Sequence, residues 1–157
     1  FDQENVDINA LVQRVLALTE GRTAAVGAQI ELSLSSEVPA IFGSPIQLEQ
    51  MLVNLVVNAL EAMEDASERV LSILSEYDSK QKSILLTVSD TGEGIPVDKI
   101  NQIFNTFYTS KKEGMGMGLA ICRGIVEDYG GKIWAESGEQ GGASFSVRLP
   151  VDETLLV

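Results

Sequence analysis

The sequence predicts an α/β two-layer sandwich, a mixed β-sheet with α-helices on one face. Three observations predict it. Apolar residues recur every three or four positions in several stretches, the spacing of helices that bury one side. Five other stretches, 28–34, 69–76, 83–89, 132–136 and 143–149, read as strands. The last four form two pairs, each joined by a polar or glycine-containing turn that suits an antiparallel hairpin. With 157 residues, 45% of them hydrophobic and 22% charged, the chain has the size of one domain and the apolar content to bury a core. The expectation is one domain over 1–157, its core about 5–150, cut from a longer protein.

Taken in order, Ile8, Leu11, Val12, Val15 and Leu16 mark a first helix with Asp7 at its N-cap. Ala28, Ile30, Leu32 and Leu34 alternate with Gln29, Glu31 and Ser33 as a half-buried strand, and Gly43 then breaks the chain. Ser44-Pro45-Ile46-Gln47 opens a helix that runs to about Met63. Ser44 is its N-cap, Pro45 its first residue and Gln47 the capping-box partner. Polar residues 77–82 join strands 69–76 and 83–89. Pro96 starts a short helix carrying Ile100, Ile103 and Phe104. Leu119, Cys122, Ile125, Val126 and Tyr129 lie on one side of another helix, ended by Gly130-Gly131. Cys122 and Trp134 are expected to serve packing.

Charge and composition exclude several functions. Eleven basic against 23 acidic residues leave a net charge of −12, which repels nucleic-acid backbones and anionic membranes. With no histidine, no imidazole base or His metal site can form, and one cysteine rules out an internal disulfide. No apolar run reaches the ~18 residues of a membrane span.

Three constellations carry chemistry. On the helix 44–63, Leu48, Met51, Leu52, Leu55, Ala59 and Met63 form the apolar side, while Gln47, Gln50, Asn54, Asn58 and Glu61 share the other. Asparagine is a poor interior helix residue, so two of them a turn apart need a reason. A solvated polar face is one; amide oxygens offered to a hard cation such as Mg²⁺ are another. Second, Asp90-Thr91-Gly92-Glu93-Gly94-Ile95 follows a strand. It reads as a tight turn, or as a fixed carboxylate able to accept from the amine of adenine beside glycines that admit a flat base. Third, Gly114-Met115-Gly116-Met117-Gly118-Leu119 runs into a helix, whose first N–H groups suit an anion, with Lys111 and Lys112 just before it. A glycine-rich loop without ligand is the plainer reading. The spacing matches neither the dinucleotide fingerprint nor a P-loop.

The asparagine helix, Asp-x-Gly-x-Gly, Phe104-x-x-Phe107 and Gly-x-Gly-x-Gly-Leu, in this order, resemble the four nucleotide-binding boxes of the GHKL superfamily. That group contains gyrase-type ATPases, heat-shock chaperone ATPases, histidine kinases and mismatch-repair ATPases. Within it the chain looks like the catalytic, ATP-binding domain of a bacterial sensor histidine kinase, with a short lid of the nitrogen-regulation and oxygen-sensing type. The resemblance implies ATP or ADP and Mg²⁺ as cofactors. It implies that Asn58 coordinates Mg²⁺ on the ATP phosphates with Asn54 in support. Asp90 would bind the adenine amine, and Gly92, Gly94 and Ile95 would shape the base pocket. Phe104 and Phe107 would anchor a lid formed by Thr109 through Glu113, with Lys111 positioned for a phosphate. Gly114, Gly116, Gly118 and Leu119 would wrap the triphosphate, and Ser144 would supply a hydroxyl near Asp90.

Two positions depart from the family pattern: Glu61 and Ala62 stand where many relatives carry a basic and an aromatic residue. A third comparison separates branches. Hydrolytic members place a general-base glutamate one turn before the magnesium asparagine; here it is Asn54, and an amide is a very poor base. The resemblance therefore implies a kinase that positions ATP for in-line transfer to a histidine. That histidine would lie on a separate helical dimerisation domain of the parent protein, and a response-regulator receiver would take the phosphoryl group next. It implies a cytoplasmic domain, with no nucleic-acid or direct membrane partner. The alternative is an anti-sigma-type serine kinase or a nucleotide-binding module without phosphotransfer.

Overall fold

The computed structural model describes residues 2–105, 118–138 and 141–151. The chain runs through β1 (Glu4–Val6), α1 (Ile8–Leu18), α2 (Glu20–Val26), β2 (Gln29–Leu34), β3 (Ile41–Gly43) and α3 (Pro45–Ala62). It continues through β4 (Val70–Asp78), β5 (Ser83–Ser89), a 3₁₀ turn (Val97–Lys99), α4 (Gly118–Asp128), β6 (Lys132–Ser137) and β7 (Ala143–Pro150).

Among the described residues five strands form one sheet in the order β2-β4-β5-β7-β6. β2 pairs with β4 in parallel and the other neighbours are antiparallel, so the sheet is mixed as expected. Register puts like with like. The row Ile73, Val88, Phe145 and Ala135 crosses β4, β5, β7 and β6, and the row Leu86, Val147, Ile133 lies beside it. These side chains point to the face where Leu48, Met51, Leu52, Leu55, Val56, Ala59 and Leu60 of α3 are buried, together with Val12 and Val15 of α1 and Cys122 and Val126 of α4. The opposite face is polar at its centre, where Ser89 faces Ser144 and Thr87 faces Ser146, their hydroxyls 2.8 and 3.1 Å apart.

Local chemistry fixes the helix starts. Asp7 caps α1 by accepting from the Ala10 amide, and Ser44 caps α3 by accepting from the Gln47 amide at 3.2 Å. The reciprocal half of the expected capping box is not Gln47: the Ser44 amide donates instead to the Tyr129 hydroxyl at 2.8 Å, from just beyond α4. Between α1 and the sheet, the buried Ser75 hydroxyl donates to the half-buried Asn9 side chain (2.6 Å), and the Asn9 side-chain amide donates to the Ser35 carbonyl (2.7 Å), so Ser75 is buried with its bond made.

Some expectations change. Gly43 does not break the chain; it ends β3, which pairs with β1 in a separate two-stranded ribbon. The segment after Pro96 makes only a 3₁₀ turn followed by further turns, because Ile103 and Phe104 are buried by packing rather than by a helical face. Residues of the expected lid fall within 106–117, outside the described residues.

Candidate functional site

The site grows from the polar stripe of α3. Ser44 and Pro45 set the helix phase, seven buried apolar residues lock one side onto the sheet, and Asn54 and Asn58 are thereby held half-buried on the other. The Asn54 amide nitrogen donates to the carbonyl of Gly118, the first residue of α4, at 3.4 Å. Behind it lies Cys122, fully buried, its thiol donating to the Met51 carbonyl at 3.4 Å. Burial pushes that thiol up to about 12, with the neighbouring Asn54 amide acting the other way. Cys122 is therefore packing, as expected, and inert.

At the other end of the same stripe stands the loop after β5. Asp90 is buried, and its Oδ1 accepts from the amides of Gly92 (2.9 Å) and Ala143 (3.3 Å), which fixes the carboxylate plane. The backbone repeats the link, since the Asp90 amide donates to the Ala143 carbonyl at 2.9 Å. The loop is pressed against the end of α3, where the Glu93 amide meets the Ala62 carbonyl at 3.3 Å. Two glycines permit this closeness. A Cβ on Gly92 would lie 2.6 Å from the Ala62 carbonyl carbon and nearer still to its oxygen. A Cβ on Gly142, where φ is +80°, would lie 3.0 Å from the Asp90 carbonyl carbon and nearer still to that oxygen. Thr91 anchors the loop from below: its hydroxyl donates to the Glu68 carbonyl (2.6 Å) and accepts from the Val70 amide (3.0 Å).

Asn54, Asn58, Asp90, Gly92 and Gly118 are thus gathered along one helix. Residues 54 and 62 are about 12 Å apart along the axis, and they touch α4 and the Asp90 loop respectively. Gly94 and Ile95 continue the loop, and Leu119 packs half-buried against the core. Phe104 is 8% exposed and meets Phe145 edge-on with ring centroids 6.1 Å apart, so it ties the segment beyond the loop to β7. Phe107, Thr109, Lys111, Gly114 and Gly116 lie outside the described residues.

Ser144 lies one residue along β7 from Ala143. Its hydroxyl bonds to Ser89, and strand alternation puts that pair on the face opposite Val88. The group of β7 that reaches Asp90 is the amide of Ala143.

The residues fit a nucleotide with a divalent metal. Among the described residues no three carboxylate or thiol groups converge on a metal. A metal here would rely on an amide oxygen and on oxygens brought by the ligand, the donor set that Mg²⁺ takes beside phosphates.

A family model described as histidine kinase-, DNA gyrase B-, and HSP90-like ATPase matches residues 43–153, which include the whole of this site. The chain belongs to that family. It is 31% identical to the catalytic domain of the histidine kinase ThkA, covering 96% of each chain with a TM-score of 0.84. The sensor histidine kinase TmoS of Ectopseudomonas mendocina is 41% identical over 148 residues, 93% of this chain. The chain spans only 15% of the length of TmoS. A solved complex of ThkA with the response regulator protein TrrA also matches, at 29% identity and a TM-score of 0.81, over 97% of this chain and 42% of that one. The mixed sheet with helices is that of histidine kinase catalytic domains. No helix among the described residues is long and apolar enough to cross a membrane.

Proposed function

We propose that this chain is the ATP-binding catalytic domain of a longer sensor histidine kinase, and that it presents the γ-phosphoryl of Mg-ATP to a histidine on another domain. One observation supports the reading best. The asparagine stripe of α3 meets the start of α4 at Asn54 and the Asp90 loop at Ala62, so a phosphate-type end and a base-type end share one helix. Asp90 accepts from the adenine amine, while the guanine carbonyl at that position would meet acceptor against acceptor. Gly92, Gly94 and Ile95 form the base wall, and the α4 N-terminus at Gly118 faces the phosphates. Asn58 holds Mg²⁺, with Asn54 beside it, and the metal supplies charge neutralisation for the transfer. By the family resemblance, Thr109 through Glu113 would form the lid with Lys111 as the phosphate contact, Phe107 would anchor it with Phe104, and Gly114 and Gly116 would wrap the triphosphate with Gly118 and Leu119. Asn54 in place of a glutamate leaves no base to activate water, which favours transfer over hydrolysis.

The chain contains no histidine, so the acceptor lies on a helical dimerisation domain, and the phosphoryl group then passes to a response-regulator receiver, a partner class that TrrA exemplifies for ThkA. Use of ATP as substrate is consistent with a cytoplasmic domain. Calorimetric titration with ATP and GTP, with and without Mg²⁺, tests the binding half on wild type, Asp90→Ala and Asn58→Ala. Adenine preference should vanish in the first variant and metal dependence should weaken in the second. Adding a histidine-bearing helical domain with radiolabelled ATP should yield acid-labile, alkali-stable label on that domain. Serine label on a small partner, or nucleotide binding without any transfer, would overturn the kinase assignment in favour of a serine kinase or a binding module.

A further inference from the structure

We propose that Ser137 is a positioning residue for base selectivity, holding the Gly94–Ile95 wall at a set distance from the Asp90 carboxylate. The inference rests on the nucleotide reading above and assigns part of the selectivity to a side chain outside the Asp90 loop. The Ser137 hydroxyl makes two bonds to one residue: it donates to the Ile95 carbonyl at 2.7 Å and accepts from the Ile95 amide at 3.1 Å. Ile95 sits in irregular backbone and is followed by Pro96, which has no N–H to give. A single side chain thus takes both main-chain groups of Ile95, as a neighbouring strand would.

Its position makes that bond consequential. Ser137 ends β6 and is the register partner of Ala143 on β7, and Ala143 is the residue bonded to Asp90 through both its amide and its carbonyl. The loop 90–95 is therefore fastened at its two ends to one pair of facing residues, Asp90 to Ala143 and Ile95 to Ser137. Discrimination by an acceptor carboxylate needs the base held in register against it. A wall released at Ile95 lets a base slide, which costs adenine its bond and relieves guanine of its repulsion. Both bonds of the hydroxyl go to Ile95, so it acts through the loop.

The test is competition of ATP and GTP, each with Mg²⁺, against a fluorescent adenine nucleotide on wild type, Ser137→Ala and Ser137→Thr, with thermal melts alongside. Ser137→Ala should weaken ATP by about five- to tenfold, the loss expected for two exposed hydrogen bonds. It should narrow the ATP-to-GTP ratio by a similar factor while the Mg²⁺ dependence stays at the wild-type value. Ser137→Thr, which keeps the hydroxyl, should restore the ratio. An unchanged ratio in Ser137→Ala, or equal loss in the alanine and threonine variants, overturns the role of Ser137. Failure of wild type to bind ATP overturns the nucleotide reading itself, so the two failures are distinguishable.

Discussion

The packing of the Asp90 loop on α3 makes a sharp prediction at Gly92. An alanine there places its Cβ 2.6 Å from the Ala62 carbonyl carbon, whereas carbon atoms settle at about 3.5–4.0 Å. The obstacle is backbone in the last turn of a helix whose apolar side is fully buried, so the loop must retreat by about 1 Å. That retreat draws the Gly92 amide away from Asp90 Oδ1, now 2.9 Å distant. Overpacking of this kind costs about 1–3 kcal/mol, and the lost hydrogen bond adds about 1 kcal/mol. The expected total is about 2–4 kcal/mol. In urea, with a slope of about 2 kcal/mol/M for a domain of this size, the midpoint should fall by about 1–2 M, and ATP affinity should drop at least about tenfold. Gly124→Ala supplies the control. It is the same chemical change at an exposed position of α4, where a Cβ meets nothing within 4 Å, and it should stabilise by about 0.5–1 kcal/mol. Far-UV circular dichroism in urea, with calorimetry against ATP, reads both. A Gly92→Ala protein with the wild-type midpoint and affinity would falsify the close-packed loop, since the clash would then be relieved at no cost.

Other outcomes follow from the same contacts. Tyr129→Phe removes the hydroxyl that accepts from the Ser44 amide and leaves a buried donor unpaired, so stability should drop about 1–2 kcal/mol and Tm about 3–6 °C; a differential scan decides it. Cys122 should resist iodoacetamide at pH 8 in the native state and react fully in denaturant, as peptide mass spectrometry would show. Its thiol, pushed up from an ordinary value near 9 to about 12, also sets a sign. The unfolded chain releases that proton first, so this contribution is intact below pH 9 and declines as pH rises toward 12. Cys122→Ser should flatten that alkaline limb in urea titrations run at several pH values.

Much of this fold was legible in the sequence because its elements are long enough to show a period. The eighteen residues of α3 declare their apolar side five turns over, and Ser44-Pro45 marks the start. The strands β1 and β3, three residues each, are too short to alternate, and Gly43 therefore read as a break rather than a strand end. α2 buries no residue, so it has no stripe to detect. At the site, Asp90, Asn54 and Gly92 announced themselves by residue type and order. What stayed hidden were contacts that use the main chain of a distant segment: Ala143 and Ala62 offer backbone groups, and Ser137 grips Ile95 from the neighbouring hairpin. Ser144, one residue along β7 from Ala143, bonds to Ser89 across the other face of the sheet.

The pairing of β5 with β7 joins Ser83 to Pro150, the two ends of a very long loop in the chain. Such pairings are slow to find, since much of the intervening polypeptide must be ordered before they are rewarded. The Asp90 anchor on Ala143 belongs to this last closure. A ribosome-bound chain emerging only as far as α4 would already hold the asparagines and the acidic loop against α3, yet lack the Ala143 anchor of Asp90. Nucleotide competence should consequently arrive in a single step when β7 docks, and ATP added during refolding should trap the finished sheet rather than hasten its assembly.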